Sequence, residues 1–158
     1  MKFGLLALAL FCCGAARAQD TRSYLFFAPG GKSSNEGTVR AYSGGAGVAV
    51  MLAPHFGVGA ELGTIAPTQG KVSDTILGEF SANAYGHFLR HSAFDPYVTG
   101  GYSLLFRDFT ANGVNFGAGF NYWFHERVGL LLEGRDTRAQ FQSVSTHLWG
   151  IRIGLTFR

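Results

Sequence analysis

The stretch VNFGAGFNYWF, Val114–Phe124, decides the fold. Its even positions are Val114, Phe116, Ala118, Phe120, Tyr122 and Phe124, all apolar; its odd positions begin Asn115, Gly117, Gly119, Asn121. A period of two belongs to a β-strand, whose successive side chains point to opposite faces, whereas a helix needs apolar residues three and four apart. Outward from this strand the pattern repeats. Downstream, Val128, Leu130 and Leu132 alternate with Gly129, Leu131, Glu133 and Arg135. At the end, Trp149, Ile151, Ile153, Leu155 and Phe157 alternate with Gly150, Arg152, Gly154 and Thr156. Upstream, similar alternation surrounds Val48–Leu52, Val58–Leu62, Phe80–Phe88 and Val98–Phe106, with a weaker first strand at Tyr24–Pro29. The count is eight strands from about Ser23 to Phe157, an even number, as an antiparallel bacterial barrel requires. Short connections (Ala53–Phe56, Arg90–Pro96, His125–Arg127) alternate with longer, polar ones (Gly30–Thr38, Pro67–Asp74, Asp108–Gly113, Arg138–Thr146). Outer-membrane barrels have short periplasmic turns and longer external loops.

The first residues are of another kind. Met1-Lys2 is a positive start, Phe3–Cys13 an apolar run, and Ala16-Arg17-Ala18 a small-residue cleavage pattern. Residues 1–18 therefore read as a signal peptide cut between Ala18 and Gln19, leaving 19–158 as one barrel domain. The apolar run is shorter than the ~20 residues that a membrane helix needs. Both cysteines, Cys12 and Cys13, lie inside this leader, so the mature chain has no thiol chemistry. The large residues before each cysteine argue against lipid attachment there. Net charge is +3, near +1 once Lys2 and Arg17 leave, which argues against a nucleic-acid partner. Charged residues are 15% of the chain, below the roughly 25% of soluble domains, while aromatics are also 15% and Gly numbers 23.

Two barrels fit the alternation: a soluble lipocalin-like one with its apolar row inside, and a membrane barrel with that row outside. The polar row decides between them. A solvated exterior favours Lys, Glu and Thr. This row is instead Gly, Asn, Ser and Ala with isolated charges, which suits an eight-stranded lumen just wide enough to be filled by side chains. On the apolar row Phe88, Tyr122, Phe124 and Phe157 fall near the short turns, and Phe106 and Trp149 near the long loops, as lipid-facing aromatic girdles would.

The segment FGAGFNYWFHERVGLLLEGR, Phe116–Arg135, is similar to the hairpin before the last strand in small eight-stranded outer-membrane β-barrel proteins of the adhesion and membrane-anchor type. The ending GIRIGLTF, Gly150–Phe157, resembles their C-terminal assembly signal, except that Arg158 follows the aromatic residue. The resemblance implies an all-β, eight-stranded, up-and-down transmembrane barrel inserted by the outer-membrane assembly machinery through its C-terminal strand. It also implies structural, anchoring or surface-interaction roles, sometimes small-solute passage.

Six charges fall on the inward row: Glu61, Glu79, Arg107, Glu133, Arg135 and Arg152. Buried charges are costly unless paired. Glu79 and Arg107 are equidistant from the middle of the turn at Arg90–Pro96, and Glu133 and Arg152 from the middle of the last loop. Each pair is therefore expected directly across neighbouring strands. Gly119 is expected opposite Glu133, leaving room for it. Such charges form either a salt-bridge plug or a gated solute path. Lys32, Arg40, Lys71 and Arg138 in or beside the long loops are candidate contacts to lipopolysaccharide phosphates. Some barrels of this size resemble lipid A hydrolases. Here Ser145 and His147 share a face near the outer rim, but in Ser-x-His order and with no acid evident to orient His147. His55, His91 and His125 lie in turns without metal-ligand spacing. The sequence calls for no enzyme activity, cofactor or metal.

Overall fold

A computed structural model describes residues 21–34, 37–68, 76–89, 92–107, 110–141 and 144–158. The proposed leader, Lys71 and His91 lie outside these residues. The strands are β1 (Thr21–Ser34), β2 (Gly37–Ala53), β3 (Phe56–Pro67), β4 (Leu77–His87), β5 (Phe94–Phe106), β6 (Thr110–Trp123), β7 (Val128–Phe141) and β8 (Val144–Phe157). Each pairs antiparallel with the next, and β8 pairs with β1 from Ser23↔Phe157 to Ser33↔His147. Closure leaves no edge strand, so the backbone donors and acceptors of every strand have partners on both sides.

The alternation read from the sequence sets the two faces. Leu25, Leu62, Ile151 and Ile153 are about half exposed on the outside, while Glu61, Arg152 and Thr156 are buried within. An apolar exterior around a polar interior reverses a soluble barrel.

The end expected to carry long loops is built differently. The β1–β2 ladder runs on to Ser34↔Gly37, β5–β6 to Phe106↔Thr110 and β7–β8 to Phe141↔Val144. The expected loops Gly30–Thr38, Asp108–Gly113 and Arg138–Thr146 are therefore mostly strand. Only β3–β4 keeps a long connection, between Pro67 and Leu77. Polar and glycine residues suggest loops, but an antiparallel ladder holds them once both neighbours supply hydrogen bonds. Gly37, at φ 126°, makes the tight β1–β2 reversal a backbone only glycine adopts freely. β1 also begins earlier than expected, which brings Arg22 into the lumen.

The interior is layered. At the loop end Ala41, Ile65, Leu105, Ala111, Ala139 and Leu148 form an apolar layer, with Leu77 packed against it. Polar and charged groups fill the middle. Ala49, Tyr85 and Tyr97 pack towards the turn end, and Tyr24, Phe26 and Leu131 form a third group.

Candidate functional site: the lumen network and the rim

Four buried charges meet at mid-lumen. Glu133 and Arg152 are directly paired across β7 and β8. Arg152 Nη1 donates to Glu61 Oε2 at 2.7 Å and lies 3.7 Å from Glu133 Oε1. Arg135 Nε is 2.7 Å from Glu133 Oε1, an ion contact without hydrogen-bond alignment, and its Nη1 is 3.4 Å from Glu61 Oε2. Three tyrosines complete the set. Tyr24 donates to Glu61 Oε2 at 2.9 Å and shares a 2.8 Å bond with Tyr85, while Tyr97 donates to Glu133 Oε2 at 2.7 Å. The Arg152 guanidinium also lies 4.1 Å from the Phe26 ring centre. Two acids thus face two guanidiniums, so the cluster is charge-balanced, as burial demands.

Glycines on adjacent strands make room for these side chains. Gly119 pairs with Glu133, and a Cβ there would meet the Glu133 Cα at 2.8 Å. Gly47 pairs with Tyr24, whose ring occupies the space a side chain would take. Glycine in a strand, normally a weakness, here permits a close approach.

Glu79 and Arg107 are not across from one another. The β4–β5 ladder sets Glu79 against Leu105, and Arg107 lies past the end of β5, exposed. The β4–β5 pairs are centred on residue 92, one residue earlier in the chain than 93, the middle of Arg90–Pro96, and one residue at the centre is two in register. Glu79 is buried, with Ser81 Oγ 3.4 Å away, at the head of a polar chain. Ser81 bonds Ser103 at 2.8 Å, and Asn115 donates to Ser103 at 2.9 Å. With its amide oriented to satisfy both neighbours, Asn83 donates to Asn115 Oδ1 at 3.0 Å and accepts from Arg135 Nη1 at 3.2 Å.

A second cluster, at the turn end, escaped the sequence reading. Arg22 Nη1 donates to Asp95 Oδ2 at 2.6 Å, and His87 Nδ1 lies 2.9 and 3.0 Å from the two Asp95 oxygens. Two guanidiniums lie near the Trp123 ring centre, Arg22 at 5.4 Å and Arg158 at 4.3 Å. Arg158 also donates from Nε to the Glu126 carbonyl at 2.7 Å. The missed signal was parity. Arg22 is in step with Tyr24 and Phe26, and Asp95 with Tyr97 and Thr99, but Arg22 precedes the first expected strand and Asp95 falls in the expected connection Arg90–Pro96.

Two small cavities lie among the described residues of the interior. One cavity of about 40 Å³ is bordered by Glu79, Arg135, Thr137, Leu148 and Arg152. Another of about 20 Å³ lies among Tyr85, His87, Tyr97 and Asn121. Each is of a size to hold a few waters. Among the described residues no group of three or more His, Cys, Asp or Glu could hold a metal.

On the exterior, Phe88, Phe106, Tyr122, Phe124 and Trp149 are exposed, and Phe157 is half-buried at the β8 end. Arg40 and Arg138 point outward near the loop end, whereas Lys32 is on the inward row, paired with buried Leu148. Lys32 lies in the expected loop Gly30–Thr38, and the longer β1 assigns it a face. Arg138 Nε is 3.1 Å from Asp136 Oδ2. Asp136 also supplies an acid near His147, at 3.7 Å from Nδ1. That separation exceeds hydrogen-bond length, and Arg138 holds the same carboxylate oxygen more closely.

A closed eight-stranded antiparallel barrel with an apolar outer wall and a charged lumen defines a class, and the family comparison agrees: residues 3–157 match the outer membrane protein beta-barrel domain, and the chain belongs to that family. It is a β-barrel of the outer membrane. Among solved structures it is similar to Neisserial surface protein A, with a TM-score of 0.75 at 16% identity over 87% of this chain and 96% of that one. It is also similar to the N-terminal barrel domain of Pseudomonas aeruginosa OprF (TM-score 0.56, 18% identity, 88% and 98% covered). A third is Ail, the attachment invasion locus protein of Yersinia pestis (TM-score 0.52, 12% identity, 87% and 97% covered). No curated protein sequence matches the chain. At these identities the likeness concerns fold.

Proposed function

We propose that residues 19–158 form a non-catalytic, non-conducting barrel that serves as a structural or surface-contact element of the outer membrane, after removal of the leader 1–18. The packed lumen carries this reading. The charges Glu61, Glu133, Arg135 and Arg152 are engaged with one another, and the apolar layer around Leu105 lies between them and the loop end. Cavities of about 40 and 20 Å³ offer no room for a solute. The loop end contacts lipopolysaccharide through outward Arg40 and Arg138, and β8 is the strand presented to the assembly machinery. Against catalysis stands the engagement of Asp136 by Arg138, at 3.1 Å. The test is single-channel recording of the refolded protein in planar bilayers. A flat baseline is expected, and reproducible unitary steps would overturn the plug in favour of a narrow pore.

A further inference from the structure

Most of the outer wall is apolar, but one sector near the loop end is not. Arg138 on β7 is paired directly with His147 on β8, His147 with Ser33 on β1, and Ser33 with Thr38 on β2. All four belong to outward rows. At about 4.8 Å per strand the row is roughly 15 Å long. It crosses the seam that closes the barrel. Across the next two strands the same ladder level carries Val114 and then Tyr102, whose hydroxyl donates to Asn112. A row of hydrogen-bond donors facing lipid is costly in hydrocarbon and is at home only among headgroups.

The row is arranged to receive a ligand. Arg138 lies with its guanidinium 5.0 Å from the Phe116 ring centre, and Asp136 holds its Nε at 3.1 Å. This fixes the fork while its two terminal nitrogens have no partner among the described residues. The Ser33 and Thr38 hydroxyls bond each other at 2.9 Å, so together they retain free donor and acceptor capacity. Trp149 lies beneath His147 on β8, its indole covering Gly31, where a Cβ would approach it to 2.8 Å. Indole and phenyl rings set the depth of the row against the apolar band.

We infer that Arg138, His147, Ser33 and Thr38 form a binding site for the phosphorylated sugar headgroup of lipopolysaccharide. Arg138 and His147 take the phosphate, Arg138 through its terminal nitrogens, and the paired hydroxyls of Ser33 and Thr38 take sugar oxygens. Trp149 and Phe116 pack on the acyl chains below. The inference rests on the outer-membrane reading with the loop end outside, and it narrows the contact to one face of the barrel.

The test uses the full mature chain in neutral detergent, where folding is first verified by heat-modifiable migration. Its thermal midpoint is then titrated with lipopolysaccharide, dephosphorylated lipopolysaccharide, phosphatidylglycerol and inorganic phosphate. Lipopolysaccharide should raise the midpoint saturably, and the other three should not. Loss of the charge-assisted bonds in the double variant Arg138→Gln/His147→Gln should raise the half-saturating concentration about tenfold. Lys32→Gln, on the inward row of the same end, should titrate like wild type. Should the double variant not fold, Arg138→Lys and His147→Asn decide separately, each with a severalfold weakening expected. Equal titration of wild type and site variants overturns the site. Equal effect of dephosphorylated lipopolysaccharide or phosphatidylglycerol overturns the assigned ligand. Either failure leaves the non-conducting barrel standing, since folding in neutral detergent and the bilayer recording do not involve the site.

Discussion

Replacing Arg152 by Met should be among the most damaging single changes in the lumen, and most of the damage should be recoverable by a second change. Arg152 is buried, donates to Glu61 at 2.7 Å, lies 3.7 Å from Glu133 and rests 4.1 Å from the Phe26 ring centre. Methionine fills much of the same volume against Phe26, so the change is mainly electrostatic. It leaves two carboxylates facing Arg135 alone. Removing one member of a buried ionic group costs about 3–5 kcal/mol, because the remaining charge stays in a poor solvent. Neutralising the excess acid in Arg152→Met/Glu61→Gln restores the balance of one acid and one base. The double variant should therefore be more stable than Arg152→Met itself, with a coupling energy of about 1–3 kcal/mol. Urea unfolding in lipid vesicles, followed by fluorescence of Trp123 and Trp149, measures all four corners of the cycle. The reasoning is refuted if Arg152→Met costs under about 1 kcal/mol, or if the double variant loses the sum of the two singles.

Three further outcomes follow from the same geometry. Gly47→Val inserts a side chain where the Tyr24 ring sits; the overpacking should cost about 1–3 kcal/mol by urea unfolding and weaken the Tyr24–Glu61 bond. Ile153 lies midway between Trp149 and Phe157 on the lipid face, so Ile153→Arg should cost about 2–4 kcal/mol in vesicles, and an unchanged stability would place β8 with its other face to lipid. Asp95→Asn removes the charge that holds Arg22 at 2.6 Å and His87 at 2.9 Å; hydrogen exchange should quicken at the turn end of β1, β4 and β5 and stay unchanged at the loop end, a contrast that a purely global loss of stability would not produce.

The parts of the fold legible in the sequence are those governed by local geometry. Alternation at Val114–Phe124 assigned both faces of β6, because adjacent strand side chains must point apart. The turn after Phe124 is short enough that its centre fixes register, and Gly119 does stand opposite Glu133. The last hairpin likewise pairs Glu133 with Arg152. Where the turn centre was ambiguous, as between His87 and Phe94, the inferred partner of Glu79 shifted by two residues, from Arg107 to Leu105. Strand length was underestimated at the loop end because composition there is polar, while the ladder's hydrogen bonds are indifferent to side-chain polarity.

By itself, then, the sequence determined that this protein alternates between an apolar and a polar face over eight segments, and that the side chains of its polar face are too small and too sparsely charged for a solvated exterior. It could not determine which charges meet. Glu61 on β3 finds Arg135 on β7 and Arg152 on β8, 74 and 91 residues away, and Arg22 finds Asp95, 73 residues away. None of these are neighbouring strands. They touch only because β8 closes on β1 and brings opposite walls within side-chain reach across a narrow lumen. The rim row Arg138–His147–Ser33–Thr38 has the same origin, since it crosses the seam between the last strand and the first. Pairing between adjacent strands is written in turns and alternation; contact across the barrel and around its seam depends on closure, a property of the whole ring that no single segment encodes.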